Sequence, residues 1–220
     1  LDIRITCVVS PSDRTSDDVR TQAIIAIIAR YLRHSKSEYT ERPFQYSFHS
    51  TIPKSGSAIF HSTSAEVVAL VSAVLYFFTQ KEHTADVINT IAYEVEKKVR
   101  LRPLGFANTA SCTGGVIYCR KEFEFLKGIY QLFVKIPRAI EDTLFIVYIG
   151  ETEETGQELT QAVGMLYKKN SHKAEILLHE MEKCTKRMVV SFVKEDLSFF
   201  QDTVVKSQIL LERLGGVPVK

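Results

Sequence analysis

The segment that most constrains this chain is an apolar run from Ala65 to Phe78, entered through a loop of small residues. The run falls short of the roughly 20 apolar residues that span a bilayer, and Glu66 stands near its start. It predicts a helix buried inside a folded core. Upstream, Phe44, Tyr46 and Phe48 alternate with Gln45, Ser47 and His49, the pattern of a half-buried strand, which stops at Ile52-Pro53. Lys54 to Ser64, rich in Ser and Gly, joins strand to helix. Strand, small-residue loop and apolar helix in that order form a unit whose loop meets the positive end of a helix dipole.

A chain of 220 residues that is 45% apolar can bury one substantial core or two small ones. With 28 basic against 26 acidic side chains the net charge is +2. That balance excludes a strong field for nucleic acid or acidic lipid, and no dense Lys/Arg stripe interleaves with aromatics. The expectation is no nucleic-acid partner and no membrane. Cys7, Cys112, Cys119 and Cys184 lie far apart without metal or disulfide spacing, and no basic segment followed by an apolar stretch marks a secretory signal. These features predict reduced thiols in a cytoplasmic protein without a side-chain metal cluster.

Further elements follow from periodicity. Leu1 to Val9 alternates as a strand and breaks at Ser10-Pro11-Ser12-Asp13. A helix starting near Ser16 carries Val19, Ile24, Ile27, Ile28, Tyr31 and Leu32 on one face. Another, from about Thr84 to Val99, has an apolar stripe of Val87, Ile88, Ile91, Val95 and Val99. Arg100 to Gly115 reads as a polar loop, with strands at 115–119 and 143–149 and a hairpin or strand region within 123–133. From Thr155 the pattern is helical, broken near Asn170-Ser171 and Glu195-Asp196 and stopped at Gly215-Gly216. Strands and helices first, helices last, predict an α+β protein with a lobe over 1–142 and a helical lobe over 143–220.

The loop before the apolar helix is where chemistry is expected. Backbone N–H groups at a helix N-terminus stabilise an anion without a charged side chain. Ser62, Thr63 and Ser64 occupy that place, and a plain capping role accounts for them equally well. The segment Ile52 to Glu66 resembles the phosphate loop of GHMP-type small-molecule kinases, PxxxGLGSSAA, with Thr63-Ser64-Ala65 on its SSA and Pro53 in place. Ala92 to Asn108 then resembles the mevalonate kinase pattern AxxxExxxHGxPSGxDN, followed by small residues and Gly114-Gly115 before a strand. Phe145 to Leu159 is similar to the family's strand, DTGxxRST turn and helix, with Glu154 in the usual basic position.

The resemblance runs from about Val19 to Gly215. It implies a GHMP kinase-like fold, a sheet-and-helix lobe plus an incomplete helical C-terminal lobe. The N-terminal lysine-bearing strand and the C-terminal glycine-rich segment of the family are not in the sequence, so a fold cut short at both ends is expected. By resemblance, Ser62, Thr63 and Ser64 bind nucleotide phosphate, Ser64 and Glu96 hold magnesium, and Asn108 and Thr152 touch the substrate. Ala107 occupies the catalytic aspartate's position, and Arg100, Leu101 and Leu104 replace the family's His, Gly and Ser. The implied activity is phosphoryl transfer from ATP, with magnesium, to a small hydroxylated acid such as mevalonate, by an enzyme that often forms homodimers. A protein that binds nucleotide or a protein partner without catalysis fits the same residues. From the residues alone, Glu96 is equally a solvated carboxylate pairing with Arg100 on an exposed face, and Asn108 a turn residue.

Overall fold

The computed structural model describes residues 4–51, 62–99, 105–121, 129–145 and 156–215. These divide into two compact units, one built from residues 1–115 and 119–131, the other from 116–118 and 132–220.

In the first unit, β1 (Ile5–Pro11) and β2 (Phe44–Ser50) form an antiparallel pair in which Cys7 faces Phe48 and Val9 faces Tyr46. Between them in sequence runs α1 (Val19–His34), whose N-cap is Asp18, accepting from the Thr21 amide; Ser16 instead donates its hydroxyl to the Asp18 carboxylate. The helix starts two residues later than the sequence implied because a carboxylate caps it. Next come α2 (Ser62–Thr79), α3 (Ala85–Val99) and α4 (Phe106–Thr113). β1 lies on α2, which touches α1, α3 and α4 in turn. This central place explains why α2 is apolar nearly all round: Val67, Leu70, Val71, Val74 and Leu75 are all buried. Phe44 seals one end, its ring edge-on to Phe77 and Phe78.

The segment from Arg100 to Gly115, expected to be a polar loop, contains α4. Its sequence, Phe-Ala-Asn-Thr-Ala-Ser-Cys-Thr, has little periodic apolar signal, and its helicity comes from packing on α2 and α3. Gly105 and Gly114, both at positive φ (81° and 67°), bound it in a conformation that disfavours side chains with a Cβ.

β3 (Val116–Lys121) and β4 (Ile129–Val134) form a second two-stranded sheet, at which the division between the units falls. Of the strand expected over 143–149, residues 143–145 follow a short helix, α5 (Arg138–Glu141), without strand structure; the remainder lies outside the described residues. The second unit is completed by α6 (Gly156–Lys169), α7 (Ser171–Lys194) and α8 (Leu197–Leu214). Asn170 and Asp196 cap α7 and α8 by accepting from the Lys173 and Phe199 amides, and Gly215 ends α8 at a left-handed φ of 74°. Leu177, Cys184, Leu210 and Leu214 form the core between these helices. Among the described residues no helix is long and apolar enough to cross a membrane.

Candidate functional site

α2, α3 and α4 pack against one another in the first unit. Ser64 stands on α2, Glu96 on α3, and Ala107 and Asn108 on α4.

Ser64 and Glu96 are brought together: the Ser64 hydroxyl donates to Glu96 Oε1 at 2.6 Å, with the side chains 0% and 2% exposed. This settles two purely structural alternatives. The hydroxyl of Ser64 is spent on a carboxylate of another helix rather than on capping its own. Glu96 does not lie on a solvated face. A carboxylate so deeply withdrawn from water needs hydrogen-bond donors to offset its lost hydration.

Asn108 is also fully buried, and among the described residues neither its Oδ1 nor its Nδ2 has a hydrogen-bond partner. It lies inside α4 rather than in a turn. Beside it, Thr109 donates to the Gly105 carbonyl and accepts from Asn89 Nδ2 of α3, while Asn89 Oδ1 is buried without a partner. An unpaired buried polar atom costs about 1–3 kcal/mol, and three of them lie on the facing helices α3 and α4. Asn89 and Thr109 carry no motif signal. Only their 3.0 Å contact across helices relates them to the site.

Thr63 is exposed at the start of α2. Ser62 opens the helix, and its side chain lies outside the described residues, as do Thr152 and the loop 52–61. The backbone N–H groups of the first four residues of a helix such as α2 have no acceptor within the helix. Arg20 of α1 pairs with Glu66 at 2.9 Å, tying α1 to this end of α2, a link that a sequence separation of 46 hides from local inspection.

Ala107 is half-buried and brings no titratable group. The neighbouring carboxylate Glu94 sits on another side of α3, paired with Arg30 and Lys97. Cys112 does not substitute as a nucleophile, since burial, with a smaller contribution from the Asp86 charge, pushes its thiol up to about 12; burial likewise pushes Cys7 up to about 11.

Ser64 and Glu96 supply a hydroxyl and a carboxylate, the hard oxygen donors magnesium prefers. Neighbouring ligands of an octahedral magnesium stand about 2.9 Å apart at its usual bond length of roughly 2.0–2.1 Å. The observed 2.6 Å requires only a small separation of the pair. Magnesium sites commonly use one or two carboxylates and complete the shell with phosphates and water, so this donor set fits.

The architecture is mixed α+β, mostly helical with small sheets. Among solved structures it is similar to L. major mevalonate kinase in complex with R-mevalonate, with a TM-score of 0.63 and 15% identity, over 96% of this chain and 66% of that one. It is also similar to a Lin0012 protein from Listeria innocua, with a TM-score of 0.74 and 15% identity, over 100% of this chain and 73% of that one. At this identity the likeness concerns the fold. No family model and no curated protein matches the sequence.

Proposed function

We propose that this chain is a mevalonate kinase-like phosphotransferase of the cytoplasm that binds ATP with magnesium and acts slowly on the primary hydroxyl of mevalonate or a similar small hydroxylated acid, a step towards isoprenoid precursors. The observation that carries the reading is the buried Ser64–Glu96 pair at the N-terminal turn of α2, with the unpaired Asn108 amide on the helix packed against it.

Phosphoryl transfer depends mainly on positioning and on neutralising phosphate charge. In this reading the first-turn amides of α2, with Ser62 and Thr63, receive the phosphates. Ser64 and Glu96 hold magnesium, which when bound supplies positive charge to the phosphate oxygens. Asn108, and Thr152 by its place in the motif, orient the acceptor. At Ala107 no side chain accepts the proton of the attacking hydroxyl, and general-base catalysis is worth about 10²–10⁴-fold. Slow turnover follows from that absence.

Ala107 also favours a second reading, a non-catalytic GHMP-fold protein that binds nucleotide or a protein partner. Calorimetric titration with magnesium-ATP, followed by an ADP-release assay with mevalonate on the same sample, separates the two. Saturable binding with mevalonate-dependent release supports the kinase. Binding without release supports the non-catalytic protein, and no binding overturns both nucleotide readings.

A further inference from the structure

Asn89 stands on α3 two turns before Glu96, which at 1.5 Å per residue puts the two on one side of the helix about 10 Å apart. Its Nδ2 donates to Thr109 Oγ1 of α4 at 3.0 Å, and the Thr109 hydroxyl donates in turn to the Gly105 carbonyl, also at 3.0 Å. That carbonyl accepts from the Thr109 amide as well, at 3.2 Å. Gly105 is the N-cap of α4, at a left-handed φ of 81° and with no side-chain hydrogen bond to cap the helix. A relay from α3 therefore ends on the residue that opens α4, and Ala107 and Asn108 lie within the turn it closes.

The relay matters because α4 has few other means of holding its place. A helix of eight residues is too short to be stable by its own hydrogen bonding, and this one lacks an apolar stripe. The Asn108 amide does not anchor it, since both its polar atoms are buried without partners among the described residues. Thr109, the next residue, is 2% exposed, so water does not compete for its bonds. Asn89 Oδ1 is likewise buried and unpaired, which leaves the bond to Thr109 to orient the Asn89 side chain.

We propose that Asn89 is a positioning residue: through Thr109 and Gly105 it sets where the Asn108 amide stands, and so how the acceptor substrate is held. The second half rests on the reading in which Asn108 orients that substrate; the first rests on the hydrogen bonds alone. Magnesium-ATP, held in that reading by α2 and Glu96, does not depend on the relay.

The test uses the full chain labelled with ¹⁵N. Asn89→Leu and Thr109→Val each cut the relay, the double variant cuts the same link, and Thr109→Ser keeps the hydroxyl. The Asn108 side-chain amide signals, assigned by their loss in Asn108→Leu, report placement with no ligand present. They are expected to move in the three cutting variants and to stay near the parent position in Thr109→Ser. In calorimetry, mevalonate affinity should fall about ten-fold in Asn89→Leu, the upper range for a neutral hydrogen bond. The double variant should lose no more than about two-fold beyond that, because both changes remove one interaction. Magnesium-ATP affinity should stay within about two-fold of the parent. Unmoved Asn108 signals in Asn89→Leu overturn the proposal, as does mevalonate affinity that holds at the parent value. A parallel loss of affinity for both ligands also overturns it, by marking a general loosening of the unit. If the signals move and the parent chain binds no mevalonate, placement by Asn89 stands and the substrate role of Asn108 falls.

Discussion

Ser64 of α2 donates its hydroxyl to Glu96 of α3 across 2.6 Å, joining two helices at a point from which water is excluded. The bond has a stability role whether or not a ligand is present. Ser64→Ala removes a donor from a buried carboxylate, and hydrogen bonds to charged groups contribute about 1.5–3 kcal/mol. The expected result is faster native-state hydrogen exchange of the α2 and α3 core amides by that free energy, with exchange in α7 and α8 unchanged. Uniform acceleration across both units would contradict a role confined to this junction.

Asn108 should behave in the opposite way. Both polar atoms of its amide are buried without partners, so Asn108→Leu exchanges an unsatisfied polar group for an apolar one of similar size. The variant is expected to match or exceed the parent in stability, by up to about 1–3 kcal/mol, while losing affinity for the acceptor substrate. Hydrogen exchange in α4 reads the first effect and calorimetry with mevalonate the second. Marked destabilisation would mean that Asn108 serves the fold alone.

If slow catalysis stems from position 107, restoring a carboxylate there should accelerate it. Ala107→Asp is expected to raise mevalonate-dependent ADP release by about 10²–10⁴-fold, with Ala107→Asn as the isosteric control that stays near the parent rate. An unchanged rate in Ala107→Asp would direct attention to the replaced positions Leu101, Leu104 and Glu154 instead.

In the helical unit, Glu180 of α7 receives hydrogen bonds from Lys183 and from Lys206 of α8, both at 2.7 Å, and they hold its carboxyl at about 2, well below the ordinary 4.5. A carboxyl whose pKa is depressed on folding binds protons more readily when unfolded, so its contribution is complete above about pH 4.5 and is lost as pH falls towards 2. An NMR titration of the Glu180 side chain should place its midpoint near 2, and Lys206→Met should move it upwards. A midpoint near 4.5 in the parent would show that the lysines do not hold it.

The legible parts of this protein were those governed by local periodicity. α2 and α3 announce themselves because apolar residues such as Val67, Val71, Val74 and Ile88, Ile91, Val95 recur at helical spacing, and Asn170, Asp196 and Gly215 mark helix ends by their own chemistry. α4 was illegible because its small and polar residues lack such a stripe. Ser16 and Asp18 are both competent caps, and which one engages the Thr21 amide depends on the backbone path.

The candidate site divides the same way. Residue order alone shows that small hydroxylated residues stand before the apolar helix, that Glu96 and Asn108 follow at motif spacing, and that position 107 bears no carboxylate. Helix packing brings Ser64 to Glu96 rather than to its own backbone, and buries Asn108 without partners among the described residues. It also decided that Glu94 turns instead towards Arg30 and Lys97. Burial and partnership across 32 residues of chain depend on how three helices pack, and side-chain chemistry read along one strand of sequence carries no distance between them.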